Sequence, residues 1–360
     1  MIPYEVIEAK EILHEGIAEL LADVSRIKER MGLAPQDTEH PVSVFQRDLR
    51  MTLHSILGDR YNTRADIEML KQKFERARAY VRGWRSKMPD NYSEQELDEQ
   101  KEKIKADLLF AVTPEKSPQA YLLAGQPGAG KTKLADIFTR MHSGNIVFIS
   151  SDDYRKYHPR YMELQQEYGD DAVLHTQKFA GKMTEALIDD LSKSGYHLII
   201  EGTLRTTEVP LRTRDLLTGR GYEVSLNLIL VRPEESYLGT LKRYELMKEA
   251  GLTPRMTPKE HHDLVARSIV DHLQTLYEQD AFPEIRVYNR AGECLYDRQK
   301  TPFRDPSGLF REEFSRDLSY KECERIVRDC APYVSREKVE EVLRAYEHFY
   351  PTEERGRGAR

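Results

Sequence analysis

Gly125-Gln126-Pro127-Gly128-Ala129-Gly130-Lys131-Thr132 has glycine, four residues, then Gly-Lys-Thr. The apolar run Tyr121-Leu122-Leu123-Ala124 precedes it, and the amphipathic Lys133-Leu134-Ala135-Asp136-Ile137-Phe138 follows. A buried strand that turns through glycines into a helix aims a row of backbone N–H groups, and the positive end of the helix dipole, at one spot. A phosphate chain fits there. Gly125, Gln126, Pro127, Gly128, Ala129, Gly130, Lys131 and Thr132 are therefore read as a nucleotide cradle. Lys131 reaches the β and γ phosphates of ATP, and the Thr132 hydroxyl helps to hold Mg²⁺.

Strand and helix patterns alternate from Gln119 onward. Strands are expected at Tyr121, Asn145–Ile149, His197–Ile200 and Val224–Leu230, with helices from Lys131, over 172–194, near 210–217, over 234–248 and over 258–278. Ile285–Tyr288 and Glu293–Tyr296 flank the turn Asn289-Arg290-Ala291-Gly292 as a hairpin. The fold class is α/β, a phosphate-loop kinase-like, mostly parallel sheet with helices on both faces and its site past the carboxyl ends of the strands.

Upstream, residues 2–110 carry helical periodicity. One helix is expected through Ile7, Ile12, Ile17, Leu20 and Val24, a second over 42–57, and a third from about Thr63 toward Trp84. A short charged helix should open at the capping box Ser93-Glu94-Gln95-Glu96. Thr113-Pro114-Glu115-Lys116-Ser117-Pro118 reads as the boundary. This divides the chain into an all-helical domain (1–112), the kinase-like domain (113–302) and a helical tail (303–360) with helices over 319–334 and 335–349 and disorder from Thr352.

The 360 residues are 39% hydrophobic and 32% charged, without an apolar run that could span a bilayer. A net charge of -6 argues against general nucleic-acid binding. Met1-Ile2-Pro3-Tyr4-Glu5 lacks the basic start and apolar core of a signal peptide, and three cysteines fit a reducing compartment, so a cytoplasmic location without nucleic-acid or membrane partners is expected. His14, His40 and His54 are scattered and read as packing or surface residues.

Three further stretches carry chemistry. The second strand ends in Ser150-Ser151-Asp152-Asp153-Tyr154-Arg155, expected beside the phosphate-loop strand. Asp152 there either holds Mg²⁺ through water or accepts a proton from an attacking hydroxyl, and Asp153 reads as a helix cap. The third strand ends in Glu201-Gly202-Thr203-Leu204-Arg205-Thr206-Thr207. Glu201, Thr203, Arg205 and Thr206 there make a polar pocket able to grip an acceptor; alternatively Glu201 pairs with Arg205 and Thr206 caps the next helix. Arg243 lies mid-helix, and Arg255 lies between Pro254 and Pro258. Guanidiniums at such positions can close over a phosphoryl group in transfer.

These motifs, with Met183-Thr184-Glu185-Ala186, Tyr237-Leu238-Gly239-Thr240, Arg243-Tyr244-Glu245 and Thr257-Pro258-Lys259, resemble the zeta toxin family in its order over about residues 119–300. The resemblance implies a phosphate-loop kinase of a toxin–antitoxin system that phosphorylates the 3′-hydroxyl of UDP-N-acetylglucosamine and so blocks cell-wall precursor synthesis. It implies Asp152 as general base, Lys131 and Thr132 on phosphate and Mg²⁺, Arg243 and Arg255 as a γ-phosphate clamp, and Glu201, Thr203 and Arg205 lining the sugar-nucleotide pocket. Ser150-Ser151 stands where the family has Asp-Asn, and Leu204 where it has glycine. The helical N-terminal region is expected to inhibit in cis or to dock a separate antitoxin, with a stabilising or dimerising bundle as the alternative. Two other readings of the chain stay open: a kinase of the same fold acting on a different nucleotide sugar, a dinucleotide or an antibiotic, and a nucleotide-binding switch.

Overall fold

The computed structural model describes residues 3–31, 33, 34, 36–58, 61–85, 91–251, 254–347 and 349. Chain contacts divide the protein into two units, Met1–Asn91 and Tyr92–Arg360. The expected disorder from Thr352 lies outside the described residues.

The first unit holds three helices, α1 (Tyr4–Arg30), α2 (Pro41–Ile56) and α3 (Arg64–Arg85). Val6, Leu13, Ile17, Leu20, Val24 and Ile27 recur at helical spacing, so one stripe of α1 buries against Val42, Leu49 and Ile56 of α2 and Ile67, Leu70, Ala77 and Val81 of α3. α2 begins at Pro41, and His40 Nδ1 caps it by accepting from the Val42 N–H at 3.2 Å. Packing is close: a Cβ on Gly16 would lie 2.7 Å from Phe74 Cζ.

The second unit opens with α4 (Glu94–Leu108), whose capping box forms between Ser93 and Glu96. Its Leu97 and Ile104 enter the main core of this unit, and Lys101 and Lys105 pair with Asp190 at 3.3 and 3.2 Å. The division therefore falls before α4, not at residue 112. A capping box fixes where a helix starts, whereas the core it joins is decided by distant residues.

Then follow β1 (Gln119–Ala124), α5 (Lys131–Met141), β2 (Val147–Ile149), α6 (Ser151–Tyr154), α7 (Tyr161–Tyr168), α8 (Ala172–Lys193), β3 (Leu198–Glu201), α9 (Glu208–Thr218), β4 (Glu223–Leu230), α10 (Pro233–Glu249), α11 (Lys259–Glu278), β5 (Glu284–Asn289) and β6 (Cys294–Asp297). The sheet order is β2-β3-β1-β4-β5-β6, parallel except for the β5–β6 hairpin. Alternation in β1 sends Tyr121 and Leu123 to one face, against Leu134, Ala135 and Phe138 of α5. Leu122 and Ala124 point to the other face, against residues such as Phe179, Met183 and Leu187 of α8. β3 lies between β1 and β2, so Asp152 is two strands from the phosphate loop and Glu201 is one. The expected adjacency of β2 and β1 fails because strand order is set by crossovers.

The tail forms α12 (Ser307–Ser315), α13 (Tyr320–Cys330) and α14 (Arg336–Tyr346). It belongs to the second unit. Ile326, Cys330, Val339 and Val342 cluster with Leu238 of α10 and Ala266 of α11, and Arg232 donates to the carbonyls of Glu313 and Arg316. Among the described residues no helix is long and apolar enough to cross a membrane.

Candidate active site

β1 ends at Ala124 and α5 begins at Lys131, with Gly130 as its N-cap at φ 97°. Gly128 has φ 76°, and a Cβ there would strike the Ser236 carbonyl and lie 2.8 Å from the Thr240 nitrogen. Only glycine fits. Gln126 ties the loop to the end of β4 by donating to the Val231 carbonyl at 2.6 Å. The buried Lys131 curls back, its Nζ donating to the carbonyls of Gly125 at 2.9 Å and Gln126 at 3.3 Å. The opening N–H groups of α5 have no intrahelical acceptor, so the cradle fits a triphosphate. Thr132 is exposed in that first turn. Among the described residues no cluster of three or more His, Cys, Asp or Glu could hold a metal. One hydroxyl beside a phosphate cradle suits Mg²⁺, which is commonly held by substrate phosphates and one or two side chains.

Glu201 ends β3 beside this loop. Its Oε1 lies 3.6 Å from Lys131 Nζ, and its Oε2 accepts from Ser150 Oγ at 2.7 Å. Ser150 thus links the ends of β2 and β3, and Glu201 takes these partners instead of the alternative pairing with Arg205. Asp152 sits inside the short α6. Its Oδ1 accepts from Arg155 Nε at 2.9 Å, and its Oδ2 faces Arg255 Nη1 at 3.9 Å. Burial would raise the Asp152 carboxyl, but Arg155, Arg255 and Arg243 together hold it below its ordinary value. Asp153 is not a cap, because Ser150 occupies the N-cap position. Its carboxylate lies 4.0 Å from Arg255 Nη2, and burial, with Glu201 and Asp152 nearby, raises its pKa.

Arg243 on α10 donates from Nη2 to Thr257 Oγ1 at 3.2 Å. Burial pushes its guanidinium down from the usual value, while the Asp152 carboxylate opposes this. The Nε atoms of both Arg243 and Arg255 are buried without a protein partner. Two guanidiniums with unused donors thus converge on the Asp152 edge, as an anionic ligand requires.

Beyond Glu201, Thr203 and Thr206 are half-buried and Arg205 is exposed. Thr206 is not a helix cap: Thr207 holds the N-cap position of α9. Leu204 takes the left-handed φ of 57°, where glycine is favoured. Its side chain is buried in the core rather than turned into the pocket, and His272 Nδ1 lies 3.0 Å from its carbonyl. His261, in the first turn of α11, is pushed down from its ordinary value by burial and then by Arg205, with Asp152 acting oppositely. The structure thereby brings Lys131, Glu201, Asp152, Arg243 and Arg255 to one edge, with Arg205 and Asp152 both close enough to act on His261.

Sequence reasoning missed Arg155 and Arg290. The spacing Asp152-x-x-Arg155 was a usable signal for an ion pair on one helical face. Arg290, in the β5–β6 turn, donates to the Gly128 carbonyl at 3.2 Å and had no local signal.

The family model described as zeta toxin matches residues 103–301, and that for bacterial epsilon antitoxin matches residues 2–83. Toxin PezT of Streptococcus pneumoniae is 50% identical over 186 residues, 51% of this chain and 74% of that protein. Toxin zeta of Enterococcus hirae is 42% identical over 207 residues, 57% of this chain and 72% of that protein. A structure from a study of the PezAT chromosomal toxin–antitoxin system of S. pneumoniae aligns with TM-score 0.60 at 38% identity, covering 71% of this chain and 99% of that one.

Proposed function

The chain belongs to the zeta toxin family, and from that premise we propose that it is an ATP- and Mg²⁺-dependent kinase whose acceptor is a hydroxyl of a UDP-sugar, the 3′-hydroxyl of UDP-N-acetylglucosamine. The observation that carries this reading is the convergence of Asp152, Glu201 and two arginines with unused donors on the edge next to the Lys131 loop. A nucleotide switch needs no such acceptor edge.

In this reading Asp152 takes the proton of the acceptor hydroxyl as its oxygen bonds to the γ-phosphorus and the β–γ bridge breaks. A carboxylate held below its ordinary pKa is a weak base, which suffices when the transition state is loose and the proton leaves late. Arg155 fixes the carboxylate's direction. Lys131, Arg243 and Arg255 carry charge on the transferred group. Mg²⁺, when bound at Thr132, neutralises phosphate oxygens. Glu201, Thr203, Arg205 and Thr206 orient the sugar nucleotide. The buried side chain of Leu204 supports keeping the family's acceptor, since its added bulk does not enter the pocket.

The match of residues 2–83 to an antitoxin supports a second element of the reading: the first unit restrains the second, in cis or as the docking partner in an assembly of chains. The fitting truncation ends at residue 91, because removing α4 would strip Leu97 and Ile104 from the kinase core.

The test incubates the full chain and the 92–360 truncation with ATP, Mg²⁺ and UDP-N-acetylglucosamine and looks by mass spectrometry for one added phosphate. Product from both, faster from the truncation and absent for Lys131→Ala, is expected. No product from either protein would overturn the acceptor, and equal rates would overturn the restraint.

A further inference from the structure

The tail after residue 301 lies outside the matched kinase segment, yet it reaches the phosphate loop through a line of buried and half-buried polar groups. Tyr346 on α14 donates its hydroxyl to Asp263 Oδ1. Asp263 Oδ1 is 3.1 Å from His262 Nδ1, and His262 Nε2 is 2.8 Å from Ser236 Oγ. When the Asp263 carboxylate accepts from Nδ1–H, Nε2 can accept from the Ser236 hydroxyl, for which the Pro233 carbonyl at 3.0 Å is the competing acceptor. The order Ser-His-Asp is that of a hydrolase triad, but Ser236 and His262 are both 0% exposed, so no substrate can reach the hydroxyl. A position, not a nucleophile, is what the arrangement supplies.

Ser236 stands where α10 meets the phosphate loop. Its carbonyl occupies the space a Cβ would need on Gly128, and a Cβ on Gly239 would lie 2.7 Å from the Gly128 carbonyl. Helix and loop are in backbone contact, so the loop follows any shift of α10. Arg243 lies seven residues beyond Ser236, two turns along the same face, and its partner Thr257 leads into α11, which carries His262 and Asp263.

We propose that Ser236, His262, Asp263 and Tyr346 form a positioning relay through which α14 holds α10 against the phosphate loop and sets where Arg243 meets the transferred phosphoryl group. The part concerning Arg243 rests on the kinase reading; the mechanical link between α14 and the loop does not.

Tyr346→Phe keeps the ring, with its apolar neighbours, and removes only the hydroxyl. Amide hydrogen exchange on the full chain should quicken about fivefold over residues 126–131 and 233–240, the factor given by losing one net hydrogen bond of ordinary strength. Unchanged exchange there would overturn the link. In phosphotransfer, Tyr346→Phe should lower kcat more than it raises the KM for ATP, and should add nothing in the Arg243→Ala background. Fully additive effects would overturn action through Arg243. Val342→Ala thins the same apolar cluster without touching a polar group and should lower Tm while sparing kcat. An equal kcat loss from Val342→Ala at matched Tm would reduce the relay to packing. If the unmutated chain transfers nothing, the kinase reading falls while the exchange result still decides the link.

Discussion

Leu204 sets backbone strain against burial at one position. A left-handed φ costs a residue with a Cβ roughly 1–2 kcal/mol, and truncating a buried leucine to alanine costs about 2–5 kcal/mol. Leu204 has φ 57° and is 5% exposed, so both effects apply. Leu204→Ala loses the packing and keeps the strain. Leu204→Gly sheds the strain but loses the buried Cβ besides, about 0.8 kcal/mol, and adds roughly 0.5–1 kcal/mol for the freer unfolded glycine. The balance leaves the two variants within about 1 kcal/mol of each other, whereas without the strain the alanine variant would lead by roughly 1.3–1.8 kcal/mol. The His272 contact to the Leu204 carbonyl involves backbone and survives in both variants, which keeps the comparison clean. Guanidinium denaturation of the full chain, followed by far-UV circular dichroism, measures the difference. An alanine variant that leads by that full margin would refute the strain argument.

The pH dependence of transfer should follow Asp152. Its depressed carboxyl stays charged as pH falls through the usual carboxylate range, so Arg155→Leu, which removes one opposing charge and leaves burial, should move the acid limb of kcat/KM to higher pH. A limb that stays in place would show that another group titrates. Gly128→Ala should weaken ATP binding by about tenfold or more, equivalent to ~1.4 kcal/mol per decade, because the new Cβ meets backbone from α10. Calorimetric titration giving an unchanged Kd in a folded variant would contradict that contact.

The phosphate loop was legible because its signal is local: glycine spacing, an apolar strand and a helix start all lie within eighteen residues of Tyr121. The helices of the first unit were legible for the same reason, since an apolar stripe such as Ile17, Leu20 and Val24 needs no partner to be seen. Strand order was not, because nothing in Asn145–Ile149 states that β3 will insert beside it. The allegiance of α4 was hidden too, as Leu97 and Ile104 fit any apolar surface. Asp152, Glu201, Arg243 and Arg255 were read as types at strand ends, on a helix face and in a loop between prolines. Their partners were harder: the Ser150 bond to Glu201 spans 51 residues and the His272 contact to Leu204 spans 68. α7 escaped for want of pattern, since it buries only Leu164 among its described side chains.

The insertion of β3 between β1 and β2 also acts as a ruler. Neighbouring strands lie about 4.8 Å apart, so the segments that begin at Lys131 and at Ser151 leave the sheet roughly two intervals, about 10 Å, apart. Loop substitutions can alter what lines that gap, but the hydrogen-bonded ladders of three strands fix its width. In the proposed reaction a nucleotide held at the Lys131 loop and an acceptor held at Asp152 arrive from opposite sides of that gap, so the side chains between them, Glu201 beside Lys131 among them, have to close the distance that the backbone leaves.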